Sequence, residues 1–264
     1  MTRGAVPPPS RRERRAQARL ERPAPTRGRS ARRAARPAWQ SPVVLVTAAA
    51  VVIGIAIIAF ARPPGPQGAD LITPPTSYPA ALVDGEVLGP ATAPVVLELY
   101  SDFQCPACKQ FVTLQLPRLV TEFVQPGMLR IEARDIDIVG SGTPSESLEL
   151  AAGAACAAEQ DRYWEFHDYV FWNQGRENRG DHNAAFIASV ADASGVDRTA
   201  WDACLAAPDS RASITAQTRA ALAAGIGSTP TLVVNGQAYV GVQDYDQLAA
   251  LIRQLAASPG PSAS

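Results

Sequence analysis

Cys105-Pro106-Ala107-Cys108 stands between an apolar run, Val95 to Tyr100, and an amphipathic one in which Phe111, Leu114, Leu119 and Phe123 recur at helical spacing. The first run predicts a strand covered on both faces, and the second a helix that begins at the cysteines and is kinked or interrupted by Pro117. A strand that feeds directly into a helix must be answered by another element covering the same sheet. Met128 to Ile138 alternates as a strand should, up to Ala133 at least, and completes β-α-β. A helical stretch from about 145 to 224 follows, broken by turn signals at Gly175, Gly180, Gly195 and Pro208. Thr231 to Val234 and Tyr239 to Val242 then flank Asn235-Gly236, a strong hairpin signal, and Asp244 to Ala257 closes as an amphipathic helix. The fold class is α/β with a helical insertion.

Two cysteines one turn apart at a helix start suit thiol redox chemistry. Unpaired N–H groups and the helix dipole stabilise a thiolate on the first, Cys105. Pro106 at the first helical position gives up an N–H that has no intrahelical partner. Cys108 lies near enough to form or release a disulfide with little backbone movement. Zinc sites use the same spacing, but here the other cysteines, Cys156 and Cys204, are single, and the two histidines, His167 and His182, supply no second ligand pair. The sequence therefore calls for no metal and no cofactor. The aromatic stripe around Trp164 and His167 reads as core of its helix, and His182 is given no role.

The rest of the organisation follows from charge. Residues 1–41 hold twelve Arg and two Glu, a net of +10, which leaves −11 for the other 223 residues of a chain whose total is −1. An acidic main domain would repel phosphates, so nucleic acid is not an expected partner. Residues 43–61 are uncharged and apolar, long enough as a helix to span a hydrocarbon core of about 30 Å. The basic flank keeps the amino terminus cytoplasmic and places the carboxyl-terminal bulk outside. A cleaved signal peptide is the competing reading, with Ala59-Phe60-Ala61 as a small-x-small site, although the run exceeds the usual apolar region of about 7–15 residues. The expected layout is a disordered basic cytoplasmic tail at 1–42, a transmembrane helix at 43–61, a Pro-rich linker at 62–80, a folded domain at 81–257 with its insertion at about 145–224, and a disordered tail at 258–264.

Two phrases together, Gly89-Pro90-Ala91-Thr92-Ala93-Pro94-Val95 leading into Ser101-Asp102-Phe103-Gln104-Cys105-Pro106-Ala107-Cys108, and Gly227-Ser228-Thr229-Pro230-Thr231, resemble the DsbA-like thiol-disulfide oxidoreductases of the thioredoxin superfamily. The resemblance spans about Leu82 to Ala257 and takes in Trp164-Glu165-Phe166-His167-Asp168. It implies a thioredoxin fold with an inserted helical domain, here preceded by a single transmembrane helix. It also implies a cis Thr229-Pro230 bond beside the CxxC, where the Thr229 backbone pairs with an extended substrate. Two departures bear on strength. Ala107 cannot donate to the thiolate as the His found there in some members does. The acidic residue often found six positions before the first cysteine is replaced by Leu99, with Glu98 next to it on the opposite strand face. Glu98 is left between proton relay and ordinary strand carboxylate, and Asp102 reads as shaping the active-site turn.

In an oxidising compartment the lone Cys156 and Cys204 are expected to pair, the alternative being two buried free thiols. The leading functional expectation is a membrane-tethered oxidase that introduces disulfides into secreted or membrane proteins bearing free thiols. The resemblance implies recycling by a membrane quinone-linked partner of DsbB type or vitamin K epoxide reductase type. The alternatives are a reductase or isomerase on the same fold, and a non-catalytic binding module with a structural CxxC disulfide.

Overall fold

The computed structural model describes residues 71–258. Its elements run β1 (Val83–Asp84), β2 (Val87–Leu88), β3 (Val95–Ser101), α1 (Pro106–Leu114), α2 (Leu116–Leu119), β4 (Leu129–Asp135), α3 (Glu146–Ala158), α4 (Tyr163–Trp172), α5 (Ala184–Ser194), α6 (Arg198–Ala206), α7 (Pro208–Ala223), β5 (Thr231–Val234), β6 (Gln237–Val240) and α8 (Tyr245–Ala257). The strands form one six-stranded sheet in the order β1-β2-β4-β3-β5-β6. β3 pairs parallel with β4 and antiparallel with β5, so the strand that leads into the cysteines is central.

Alternation on β3 and β4 divides the sheet's faces. Leu97, Leu99, Ile131 and Ala133 are buried in one cluster with Phe111, Val112 and Leu116, and with Leu248 and Ile252 of α8. On the other face Tyr100 and Val233 meet Ala221 of α7 and Ile136 in a smaller cluster. β3 is thus fully covered on one side and half-covered on the other, where the VVLELY run predicted cover on both. Its second face carries Glu98 and Tyr100, whose polar ends reach solvent, and the strand buried at every position is β5.

Local chemistry explains most boundaries. The break at Gln115 precedes Pro117, and the chain then continues through a wide π turn at Val120–Val124. Ser145, Asn183, Asp197 and Asp244 each accept a backbone N–H at the start of a helix. Gly153 on α3 lets three helices close in: an added Cβ would meet Phe166 at 2.9 Å, Trp201 at 3.2 Å and Ile187 at 3.3 Å. The hairpin forms at Asn235-Gly236, with φ of 44° and 85°. Its second strand starts at Gln237, earlier than the Tyr239 start expected, because a two-residue turn pairs Val234 directly with Gln237.

Two features lie outside the sequence expectation. The short β1–β2 hairpin extends the sheet beyond β4. The ordered fold also begins ahead of residue 81. Tyr78 is buried and its hydroxyl donates to Asp168 at 2.7 Å, while Ile72 N–H donates to the Asn173 side chain at 2.7 Å. Part of the Pro-rich stretch taken as linker is therefore bound along α4. The apolar run at 43–61 and the basic tail lie outside the described residues, and no helix among the described residues is long and apolar enough to cross a membrane.

Candidate active site

β3 ends at Ser101, and a tight turn carries the chain into α1. Asp102 builds that turn: its carbonyl accepts Cys105 N–H at 2.9 Å and its Oδ1 accepts Gln104 N–H at 2.9 Å. The remaining capacity of the carboxylate is also used. Oδ1 takes the Ser147 hydroxyl at 2.6 Å, and Oδ2 takes the N–H groups of Ile138 and Val139, both at 2.9 Å. Burial pushes the Asp102 carboxyl above its ordinary range, against the pull of these four donors. Asp102 thus ties the turn to the loop after β4 and to α3.

Cys105 is the N-cap of α1, with exposed Pro106 at N1. Its thiol proton points at the Thr229 carbonyl, 3.3 Å away. The thiolate form has more partners. The Cys108 thiol, which donates to it, is the largest influence, followed among the stabilising ones by the Thr229 side chain and the N–H groups of Cys108 and Ala107. These outweigh partial burial and bring the Cys105 thiol down to about 6. Cys108 lies one turn inside and is fully buried. Burial first, then the bond it donates to Cys105, push its thiol well above the ordinary value. Both thiols are unbonded. Ala107 contributes its backbone N–H and no side-chain donor.

Pro230 is buried beneath the cysteines' end of the sheet, and the Thr229-Pro230 bond is cis. Gly241 N–H donates to the Pro230 carbonyl at 2.7 Å, fixing the segment against β6. Glu98 is not brought to this site. It lies on the half-exposed face of β3, paired with Arg134 at 3.3 Å, which in turn holds Glu132 at 2.6 Å. The buried acid nearest in register is instead Asp135, opposite Ser101 on β4, bonded to the hydroxyls of Ser101 (3.3 Å) and Tyr163 (2.8 Å). Burial raises its carboxyl well above the ordinary value. Cys156 and Cys204 are joined, with Cα atoms 5.7 Å apart, and link α3 to α6.

Three residues of the insertion reach the turn without having been marked by the sequence. Ser147 holds Asp102, Asn178 N–H donates to the Gln104 side chain at 2.7 Å, and Gln174 donates to the carbonyls of Phe103 at 2.7 Å and Cys105 at 3.1 Å. Each is polar and near a helix end or loop, which is ordinary company for such residues. No spacing rule announces a partner 43 or more positions away.

This chain is similar to a probable disulfide bond formation protein D of Bacillus cereus, 32% identical over 91 residues, which cover 34% of this chain and 41% of that protein. Across three such Bacillus proteins the matched parts span between 39% and 58% of the relative's length. Among solved structures, oxidised BdbD from Bacillus subtilis superposes with a TM-score of 0.60 at 20% identity, covering 66% of this chain and 94% of that one. Reduced DsbA from Mycobacterium tuberculosis gives 0.55 at 25% identity, covering 68% and 93%. A family model described as thioredoxin matches residues 82–254, more than half of the chain. With that match the chain belongs to the thioredoxin family, and its central strand, the CxxC at the head of α1 and the helical insertion give it the fold of the BdbD and DsbA structures.

Proposed function

We propose that this protein is a membrane-anchored, extracytoplasmic oxidase that introduces disulfides into secreted or membrane proteins through Cys105 and Cys108. The observation that carries the reading is the asymmetry of the two thiols: Cys105 drawn down to about 6, Cys108 buried and pushed up. At neutral pH a thiol near 6 is about 90% ionised, so the reduced pair is favoured by the ionisation of one member. Relative to an ordinary thiol near 8.5, this amounts to about 1.4 kcal/mol at pH 7, or about 30 mV for a two-electron couple. A more stable dithiol makes its disulfide the stronger oxidant.

The cycle balances simply. A substrate thiolate attacks Cys105 of the Cys105–Cys108 disulfide, forming a mixed disulfide and releasing Cys108, which takes a proton in its buried position. A second substrate thiolate attacks the substrate sulfur of the mixed disulfide, releasing the Cys105 thiolate and a substrate disulfide. Two electrons have passed from substrate to enzyme. They leave with two protons to a quinone-linked membrane protein of DsbB type or vitamin K epoxide reductase type, a partner class supported by the resemblance. Thr229, half-exposed beside Cys105, offers backbone groups to an extended substrate segment, and buried Pro230 holds that edge in place. Pro106, Ala107 and Asp102 shape the turn. Anchoring through 43–61 rests on the apolar length and the Arg asymmetry of the sequence.

Equilibration of the CxxC with a glutathione buffer tests the direction. A potential above thioredoxin's, on the oxidising side of about −230 mV and short of the extreme DsbA value of about −120 mV, supports the oxidase. A value at or below about −270 mV assigns the reductase instead.

A further inference from the structure

The turn that presents Cys105 leaves two backbone carbonyls to be satisfied. The Asp102 carbonyl is taken by Cys105 N–H. The Phe103 carbonyl belongs to a buried residue and accepts from Gln174 Nε2 at 2.7 Å. The Cys105 carbonyl accepts Lys109 N–H at 3.1 Å as the first bond of α1, and takes the same Gln174 amide at 3.1 Å on its other side. One side-chain amide thus spans the N-cap residue and the residue two before it.

The backbone that carries that amide is itself held. Gln174 follows Asn173, the C-cap of α4; its backbone N–H donates to the Phe171 carbonyl at 3.3 Å and its backbone carbonyl accepts Lys109 Nζ at 3.4 Å. The next residue, Gly175, donates to His182 Nε2 at 3.0 Å, and Glu146 gathers Gly180 N–H, His182 N–H and His182 Nδ1. Phe103 packs on Phe171 at 5.1 Å and on His167 at 5.9 Å between ring centroids, so α4 packs directly on the turn. The loop from 173 to 183 is therefore anchored at both ends while Gln174 reaches across to the cysteine turn.

We propose that Gln174 is a positioning residue for the nucleophile: its amide, supplied by the helical insertion, clamps the carbonyls of Phe103 and Cys105 and so fixes the orientation in which the Cys105 sulfur meets the helix N–H groups and Thr229. The proposal rests on the reading of Cys105 as the attacked sulfur. A donor amide also places the positive ends of its N–H dipoles against the two carbonyl oxygens of the turn. Without it, the Phe103 carbonyl loses this donor, the Cys105 carbonyl keeps Lys109 N–H, and the turn is free to rotate the sulfur away from its donors.

The test is a titration of the reduced full chain by thiolate absorbance, with thermal unfolding recorded in parallel. Gln174→Ala is expected to move the Cys105 midpoint up by about half a pH unit, cutting the thiolate fraction at pH 6 about twofold. Gln174→Met, which keeps the length and loses the donor, should do the same and stands in if the alanine variant does not fold. Gln174→Glu, which sets a carboxylate against the two carbonyls, should move it further. Arg176→Ala, which removes only the exposed Arg176–Asp181 pair from the same loop, should leave the midpoint in place. Midpoints of the folded alanine and methionine variants that coincide with the parent's would overturn the proposal, as would an equal shift in Arg176→Ala. The shift is read from absorbance alone, so a parent that ionises as described yet oxidises no substrate would sink the functional reading and leave this one to be decided by the midpoint.

Discussion

The chain holds two pairs of cysteines in one fold, and their surroundings are opposites. Cys105 and Cys108 share a single helical turn but differ in environment: one at the helix mouth beside Thr229, the other fully buried. Cys156 and Cys204 are 48 residues apart in sequence, join two helices of the insertion, and are bonded to each other. In the first pair two free thiols are unequally stabilised, one lowered and one raised. In the second a crosslink restrains a long loop, a contribution of about 4 kcal/mol in the chain-entropy account. Reactivity is thus set by what faces each sulfur.

The largest expected effect breaks the first pair. Cys108→Ser should accumulate mixed disulfides with substrate proteins, because Cys105 can still join a substrate thiol while the internal thiol that resolves it is missing. Cys105→Ser should accumulate far fewer, since Cys108 is fully buried. Non-reducing electrophoresis after growth reads both, and equal accumulation would reverse or erase the assigned roles.

Breaking the second pair should move stability and spare chemistry. Cys156→Ala is expected to cost about 2–5 kcal/mol by denaturant unfolding, while the Cys105 titration of the folded protein stays where it was. A changed titration would show that the crosslink reaches the turn through α3, whose first turn carries Ser147 and its bond to Asp102.

The redox potential sharpens the comparison through pH. The thiol of Cys105 is lowered in the reduced form, so its contribution favours the dithiol above pH 6 and fades as pH falls through about 6, where the sulfur becomes protonated. Below that pH reduction takes up two protons and the potential should fall by about 59 mV per pH unit; above it one proton is taken up, and the slope should halve to about 30 mV. A slope that breaks near 8.5 instead would mean that Cys105 titrates as an ordinary thiol.

How much of this was open to a reader of the sequence depends on range. The Asn235-Gly236 hairpin, the amphipathic α8 and the strand-to-CxxC-to-helix passage rest on contacts between near neighbours, and near neighbours are what periodicity and turn chemistry record. Gln174 and Asn178 act on a turn 69 and 74 residues away, through hydrogen bonds that leave no period behind. The docking of Tyr78 on Asp168, 90 residues on, was hidden for the same reason, and the prolines around it pointed to a free linker. Two-residue strands such as β1 and β2 are too short to show alternation at all.

Glu98 carries the smallest expected effect and the clearest contrast with Asp102. Both are acids of the same passage, four residues apart, yet Asp102 is fully buried with four donors around it, while Glu98 sits on the other face of β3 with about a third of its side chain exposed. Its partner Arg134 is shared with Glu132 and is itself about a third exposed, so solvent screens the pair and Arg134 keeps a carboxylate if Glu98 is neutralised. A relay must hand its proton to the buried Cys108, and the side chain of Glu98 leaves the strand in the opposite direction from Leu97 and Leu99, which share the core cluster with that cysteine. Glu98→Gln should therefore change stability by no more than about 0.5 kcal/mol and leave the Cys105 titration and the rate of thiol exchange unaltered. A rate that falls tenfold or more between pH 6 and 8, with the fold intact, would restore Glu98 as the relay and require a water path through the sheet that its side-chain direction argues against.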